Sequence, residues 1–199
     1  VAGVEDVLLL TECPDEADTL RVRLGPKARP EGLRRATASV SACGVCGRES
    51  MEGLLSRLAP LPEGPAVPRR LLYGMAEAMR RSQRLFDATG ASHAAAAFSR
   101  SGEMLALRED AGRHNAVDKL AGWALLSGCP HSAAVLFLSG RLSGEIVIKA
   151  VAGGFPVLAG VSAPTSLGVE LAERLNLTLC GFCRGQEATL YAHAERLAD

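Results

Sequence analysis

The sequence predicts an α/β protein in which helices cover both faces of a mixed sheet. From residue 69 onward, short apolar segments alternate with helical-period stretches of roughly ten residues, the pattern of strands joined by helical crossovers. The chain has 199 residues, 48% of them hydrophobic, enough to build a core and too apolar for a disordered polymer. The turns between these segments are rich in Gly, Ser and Arg and fall where open α/β sheets form ligand crevices.

Taken in order, Val7–Leu10 and Leu20–Leu24 read as short strands around the turn signal Cys13-Pro14-Asp15. Residues 39–50, SVSACGVCGRES, hold too many Gly and Ser for a regular element. Ala59–Pro68 contains four prolines in ten residues and reads as a linker or exposed loop. The chain is therefore expected to divide into residues 1–68 (strands, cysteine loop and Pro-rich linker) and 69–199 (the α/β core). Across Arg69–Phe86, Leu72, Met75, Ala76, Met79 and Leu85 recur near helical period with arginines between them, predicting one amphipathic helix. His93–Phe98 and Met104–Leu107 pair around Ser101-Gly102. A helix is expected over Asn115–Ser127, with Asn115 and Asp118 as a capping pair. Then come a strand at Ala133–Leu138, a helix at Ser143–Ala152, a strand at Val157–Val161 and a helix at Thr165–Leu175. Final strands follow at Thr178–Phe182 and Thr189–Ala192.

Lys+Arg 22 against Asp+Glu 22 leaves no net charge, and aromatic content is 4%. Broad nucleic-acid binding needs basic excess and stacking surfaces, so neither composition supports it. The first ten residues carry Glu5 and Asp6 and lack the basic start of a signal peptide. Two uncharged stretches, Leu120–Gly140 and Ala150–Val169, reach spanning length, but Gly128-Cys129-Pro130 and Gly153-Gly154-Phe155-Pro156 break them. A soluble cytoplasmic protein without nucleic-acid or membrane partners is expected.

Six cysteines, at 13, 43, 46, 129, 180 and 183, include two C-x-x-C pairs. In Cys43-Gly44-Val45-Cys46-Gly47 the thiols can form a disulfide, hold a metal or pass sulfur. The glycines let a partner approach the sulfur closely, and Arg48 favours thiolate. Inert loop cysteines are the plainer alternative. The second pair lies in Cys180-Gly181-Phe182-Cys183-Arg184-Gly185. Four-cysteine zinc binding through Cys43, Cys46, Cys180 and Cys183 is conceivable, although the long separation is unlike a zinc ribbon. Cys180 alone reads as a strand core residue, with Gly181–Gly185 leaving the strand as a loop suited to a phosphate-bearing ligand.

Three turns resemble anion cradles: Glu109–Asn115 with Arg113 and His114, Ser139-Gly140-Arg141, and Ser162–Ser166. Each singly is ordinary capping; together they fit a crevice at the carboxyl ends of successive strands. P-loop and G-x-S-x-G motifs are absent from the sequence. A zinc deaminase would need H-x-E and P-C-x-x-C, which His93-Ala94-Ala95 and Leu179-Cys180 do not supply. His131 and His193 read as surface residues.

These motifs together resemble the FdhD family, the sulfur-carrier accessory proteins of formate dehydrogenase. The matching segments are SACGVCGRES, TGASHAAAAFSRSGE, REDAGRHNAVDKL, LSGRLSGEIVIKA, SAPTSLGVELAERLNLTL and GFCRGQEATLYAH, in family order from Ser41 to the C-terminus. The resemblance implies a three-layer, cytidine-deaminase-like core without the zinc. It also implies a longer N-terminal part ahead of Val7, so truncation is expected. Family members accept sulfur as a persulfide from a cysteine desulfurase. They pass it to the Mo-bis-molybdopterin guanine dinucleotide cofactor, which then enters formate dehydrogenase. By motif, Cys43 corresponds to the persulfide cysteine and Cys46 to its helper. Gly181, Phe182, Cys183, Arg184, Gly185 and Gln186 correspond to the cofactor-contacting loop. The implied activity is that of a sulfurtransferase-type carrier, with GDP as a mimic of the cargo, no metal ligands and a homodimeric state. A cofactor chaperone that moves no sulfur is the alternative. Gly185-Gln186 stands where some relatives carry Pro-Gly, which leaves the shape of that turn open.

Overall fold

The computed structural model describes residues 7–12, 20–24, 55–56, 58–64, 66–127 and 133–198. Two compact units divide at Val40/Ser41. In the first, β1 (Val7–Glu12) and β2 (Leu20–Leu24) form an antiparallel pair from Val7 opposite Leu24 to Glu12 opposite Leu20.

The second unit is built on a six-stranded mixed sheet. Its strands are β4 (His93–Ser99), β5 (Met104–Asp110), β6 (Ala133–Leu138), β7 (Val157–Gly160), β8 (Thr178–Arg184) and β9 (Glu187–Ala192), in the order β5-β4-β6-β7-β8-β9. The central β6, β7 and β8 are parallel, and antiparallel β4 and β9 flank them. Parallel pairing follows from the crossovers α4 (Gly144–Ala152) and α5 (Ser166–Arg174), which return the chain over the sheet between strands. Since β5 is antiparallel to β4, which is antiparallel to β6, the carboxyl ends of β5, β6, β7 and β8 share one edge.

Helices on both faces make three layers. One face of the sheet packs Leu136, Leu138 and Leu158 with residues of α4, α5 and α3 (Arg113–Leu126). The other packs Val135, Phe137 and Ala159 with Met75 and Met79 of α1 (Leu72–Arg81). Residues buried on both faces explain why the central strands are continuous apolar runs without polar alternation. In β4 the run Ala94–Ala97 is wholly buried, odd members toward α3 and even members toward α1. Small side chains there let helices sit close on both sides. Phe98 and Phe137 meet edge to face at 6.3 Å between centroids, a contact worth about 0.5–1.5 kcal/mol beyond area burial.

The six strands of the main sheet lie at the positions the sequence predicts, with β5 and β8 running on to Asp110 and Arg184, but one predicted helix is broken. Residues 69–86 are a 3-10 turn (Arg69–Leu71), α1, a break at Ser82-Gln83, then α2 (Arg84–Thr89). The break has a distant cause: the Glu109 carboxylate on β5 accepts from the backbone N–H of Leu85 at 2.8 Å and of Phe86 at 2.9 Å. A carboxylate on those free amides starts a new helix there. Leu85, expected on the apolar face, is exposed in consequence.

The α3 start also differs. Its N-cap is Gly112, not Asn115; the Asn115 amide donates to Asp110 and Asp118 pairs with Lys149. The capping pair read from sequence is therefore replaced by two longer-range contacts. The Pro-rich segment runs along the surface yet is tied down: Leu61 N donates to Leu175 O, Asn176 donates to Leu61 O, and the Arg196 guanidinium donates to Pro62 O. Val67–Pro68 (β3) then pairs in parallel with Leu197–Ala198 (β10), joining this segment to the C-terminal end. Among the described residues no helix is long and apolar enough to cross a membrane.

Candidate functional site

The loops after β6 and β7 form one knitted edge. Leu142 and Pro164 make a parallel bridge; Leu142 N donates to Ala163 O, and Thr165 N to Leu142 O. Thr165 caps α5, its hydroxyl accepting from Gly168 N at 3.1 Å. Gly168 is required by this closeness: a Cβ there would stand 2.7 Å from Leu142 O. Two of the three cradle-like turns are thus fixed at the carboxyl ends of adjacent parallel strands.

Beside this edge, on the α1 face, opens a pocket of about 760 Å³. Tyr73, Ala76 and Arg80 of α1 and Phe86 of α2 form one wall. His93, Ser139 and Val161 come from the ends of β4, β6 and β7, and Arg184 and Gly185 from the end of β8. Arg184 is aimed by its Nε, which donates to Val161 O at 3.0 Å. Arg80 is already committed, bonded to Asp87 at 2.7 Å and stacked 4.7 Å from the Phe86 ring. That leaves Arg184 as the more available cation at the β8 end.

Residues 181–186 do not leave the sheet at Gly181. β8 runs on to Arg184, with an irregular register between Gly181 and Arg184. Phe182 sits at φ 53, a left-handed conformation that a bulky residue adopts only under constraint. Its N–H donates to Ser162 O at 3.3 Å and its ring is exposed. Gly181 is packed against Pro164, where a Cβ would be 2.9 Å from the proline Cδ. Gly185, at φ 57, and exposed Gln186 make the turn into β9. Proline cannot reach that φ, so this turn differs from one that opens on Pro-Gly.

Cys180 and Cys183 are both fully buried on the α1 face. Burial pushes both thiols up, and for Cys180 the nearby Cys183 adds to it. Neither offers a surface thiolate, and Cys183 Sγ is occupied by the carbonyls of Cys180 and Gly181 at 3.8 Å. Of the second pair's neighbourhood, the structure therefore brings Arg184 and Gly185 to the pocket, exposes Phe182, and turns Cys183 away. Among the described residues no cluster of three or more His, Cys, Asp or Glu could hold a metal. Cys43 and Cys46 lie outside the described residues.

The Arg113–His114 cradle is divided. His114 Nε2 lies 3.1 Å from Glu145 Oε2 and 3.5 Å from the Ser143 hydroxyl, which itself bonds Glu145. Burial, then the charge of Arg113, holds the His114 pKa below its ordinary value despite Glu145. Sequence reading missed Tyr73, Phe86 and His93 as pocket residues. His93 carried a weak signal, a lone polar residue opening an alanine run; the other two carried none.

Fold and edge define a three-layer α/β protein with a ligand-sized crevice at the carboxyl ends of its parallel strands. The chain belongs to the FdhD/NarQ family, whose model matches residues 1–198. It is 45% identical over 215 residues to the sulfur carrier protein FdhD of Anaeromyxobacter dehalogenans, covering 99% of this chain and 74% of that protein. To the protein of the same name from Mycobacterium tuberculosis it is 42% identical over 212 residues, covering 99% and 77%. Its fold matches the crystal structure of a formate dehydrogenase accessory protein from Desulfotalea psychrophila at a TM-score of 0.76. That match has 24% identity and covers 100% of this chain and 74% of the other.

Proposed function

We propose that this protein is a sulfur carrier serving formate dehydrogenase. Cys43 accepts sulfur from a cysteine desulfurase as a persulfide, and the cargo that receives it is the Mo-bis-molybdopterin guanine dinucleotide cofactor. The observation that supports this reading best is the pocket ending on Arg184 and Gly185, in a chain 45% identical to a protein named sulfur carrier.

The residues fit a nucleotide-bearing cargo. Arg184 is held in place by Val161 O and supplies fixed donors, Phe182, two residues before it, has an exposed ring, and the pocket is lined by Val161, Ala76 and Phe86. Arginine forks match phosphate and stack on bases. The cysteine chemistry is ordinary thiol exchange. The Cys46 thiolate attacks Cys43 Sγ, expels the outer sulfur as hydrosulfide and leaves a Cys43–Cys46 disulfide, which a dithiol then reduces. Cys46 is the helper in this scheme, with a homodimer in the cytoplasm as the working form.

Intact-protein mass spectrometry after incubation with a cysteine desulfurase and cysteine tests the proposal. A gain of sulfur mass that is lost in Cys43→Ala is the expected result. No gain on the native chain, beside an active desulfurase, would turn the reading toward a chaperone that binds cofactor without moving sulfur.

A further inference from the structure

Arg113, the first residue of α3, has its Nε buried without a hydrogen-bond partner. A guanidinium keeps its charge and its five donors wherever it is placed, and a buried N–H without an acceptor is costly. Among the described residues, Asp110, Glu109 and Glu145 are each committed elsewhere. Asp110 holds Lys119 at 2.6 Å together with Gly112 N and Asn115. Glu145 holds His114 and Ser143, and Glu109 holds the amides of Leu85 and Phe86 and the Ser92 hydroxyl. Among the described residues nothing supplies Arg113 with a counter-ion.

Its side chain lies near a pocket-lining residue, His93. The side chain reaches over the sheet's carboxyl edge to Gly140, where a Cβ would stand 3.2 Å from Arg113 Cδ and 3.4 Å from His93 Nδ1. Both side chains therefore approach the space a Cβ at Gly140 would fill, and the absence of a Cβ there is what admits both. His93 and Ser139 line the pocket, and the Ser139 hydroxyl, 3.4 Å from His93 Nδ1, already accepts from Ala94 N.

We propose that Arg113 and His93 form an oxyanion subsite at the β4–β6 end of the pocket, and that it takes the diphosphate of a nucleotide whose other end lies at Arg184. The class of ligand rests on the nucleotide-bearing cargo proposed above. From β4 to β8 there are three strand spacings, about 14 Å, and an extended nucleoside diphosphate spans such a distance.

The test is calorimetric titration of the full chain with inorganic pyrophosphate, GDP and guanosine. Arg113→Gln is expected to lose pyrophosphate binding and to bind GDP about tenfold more weakly or worse, while guanosine binds as it does to the native protein. GDP and pyrophosphate bound equally well by native and R113Q would overturn the subsite and leave the nucleotide pocket standing. Native protein that takes guanosine as tightly as GDP would overturn it too, and native protein that takes none of the three would overturn both readings. Circular dichroism establishes that R113Q is folded. If it is not, Arg113→Lys, which keeps the charge but lacks the Nε–H, serves instead. It is expected to bind pyrophosphate several-fold more weakly, and native affinity in it overturns the proposal.

Discussion

Cys183 Sγ lies 3.8 Å from the carbonyl oxygen of Cys180, and both side chains are buried on the α1 face although they stand three positions apart in one strand. Strict alternation would put residue 182, not 183, on the face of Cys180. Phe182, at φ 53, adds the extra residue that resets the alternation. The same irregularity that buries the second thiol leaves Phe182 and Arg184 exposed, so the thiols become core while Arg184 reaches the pocket.

Phe182 is therefore expected to carry backbone strain. Phe182→Val, with a β-branched residue at positive φ, should cost about 1–3 kcal/mol in urea unfolding. Phe182→Gly should be at least as stable as the native chain while binding GDP more weakly. Native GDP affinity in the glycine variant would remove the ring from the ligand's surroundings.

The two buried thiols should be chemically silent. In a timed alkylation followed by peptide mapping, Cys180 and Cys183 should stay unmodified in the native protein and react fully once it is unfolded, since burial suppresses their thiolates. Native-state labelling of Cys183 comparable to that of Cys43 would bring the second pair back into the sulfur chemistry.

How far sequence carried the fold depends on how local the determining contact is. Every strand from β4 to β9 was legible, because its apolar run and bounding turns lie within a few residues of each other. The α1–α2 break was not, because the carboxylate that causes it, Glu109, is 24 residues from Leu85. Nor was the shared face of Cys180 and Cys183, which period-2 reasoning assigns to opposite sides. The turns read as anion cradles fall at the carboxyl edge of the sheet, the edge beside which the pocket opens. Which cation of the Arg113–His114 pair remains without a carboxylate depends on Glu145, an interaction 31 residues away that no local pattern encodes.

Arg184→Ala should weaken GDP binding by about tenfold in a calorimetric titration, the loss of one charge-assisted contact. Thermal stability should change little, because the side chain is exposed and its hydrogen bond to Val161 O is at the surface. Unchanged affinity would separate the pocket from the nucleotide.

For Cys46, the expectation concerns turnover and not loading. Cys46→Ala should still gain sulfur mass from the desulfurase, because the persulfide forms on Cys43, but should release hydrosulfide more slowly, because the second thiolate that expels it is gone. Release at the native rate would end the helper role, leaving Cys43 to transfer its outer sulfur directly.

The acid side of the stability curve should report the contact that anchors the start of α3. Lys119, hydrogen-bonded at 2.6 Å, and then the Gly112 amide lower the Asp110 carboxyl from 3.8 to about 2. A depressed carboxylate stabilises the folded state above its unfolded pKa, and that contribution disappears as pH falls through the folded value. Lys119→Met should therefore be less stable than the native chain by about 0.5–1 kcal/mol at neutral pH, since Lys119 is half exposed and solvent screens the pair. The gap should narrow between pH 4 and pH 2 and close below it, because Asp110 is then protonated in both proteins. Urea unfolding at a series of pH values reads this directly. A gap that persists unchanged below pH 2 would assign the loss to the packing of the lysine stem and not to the ion pair.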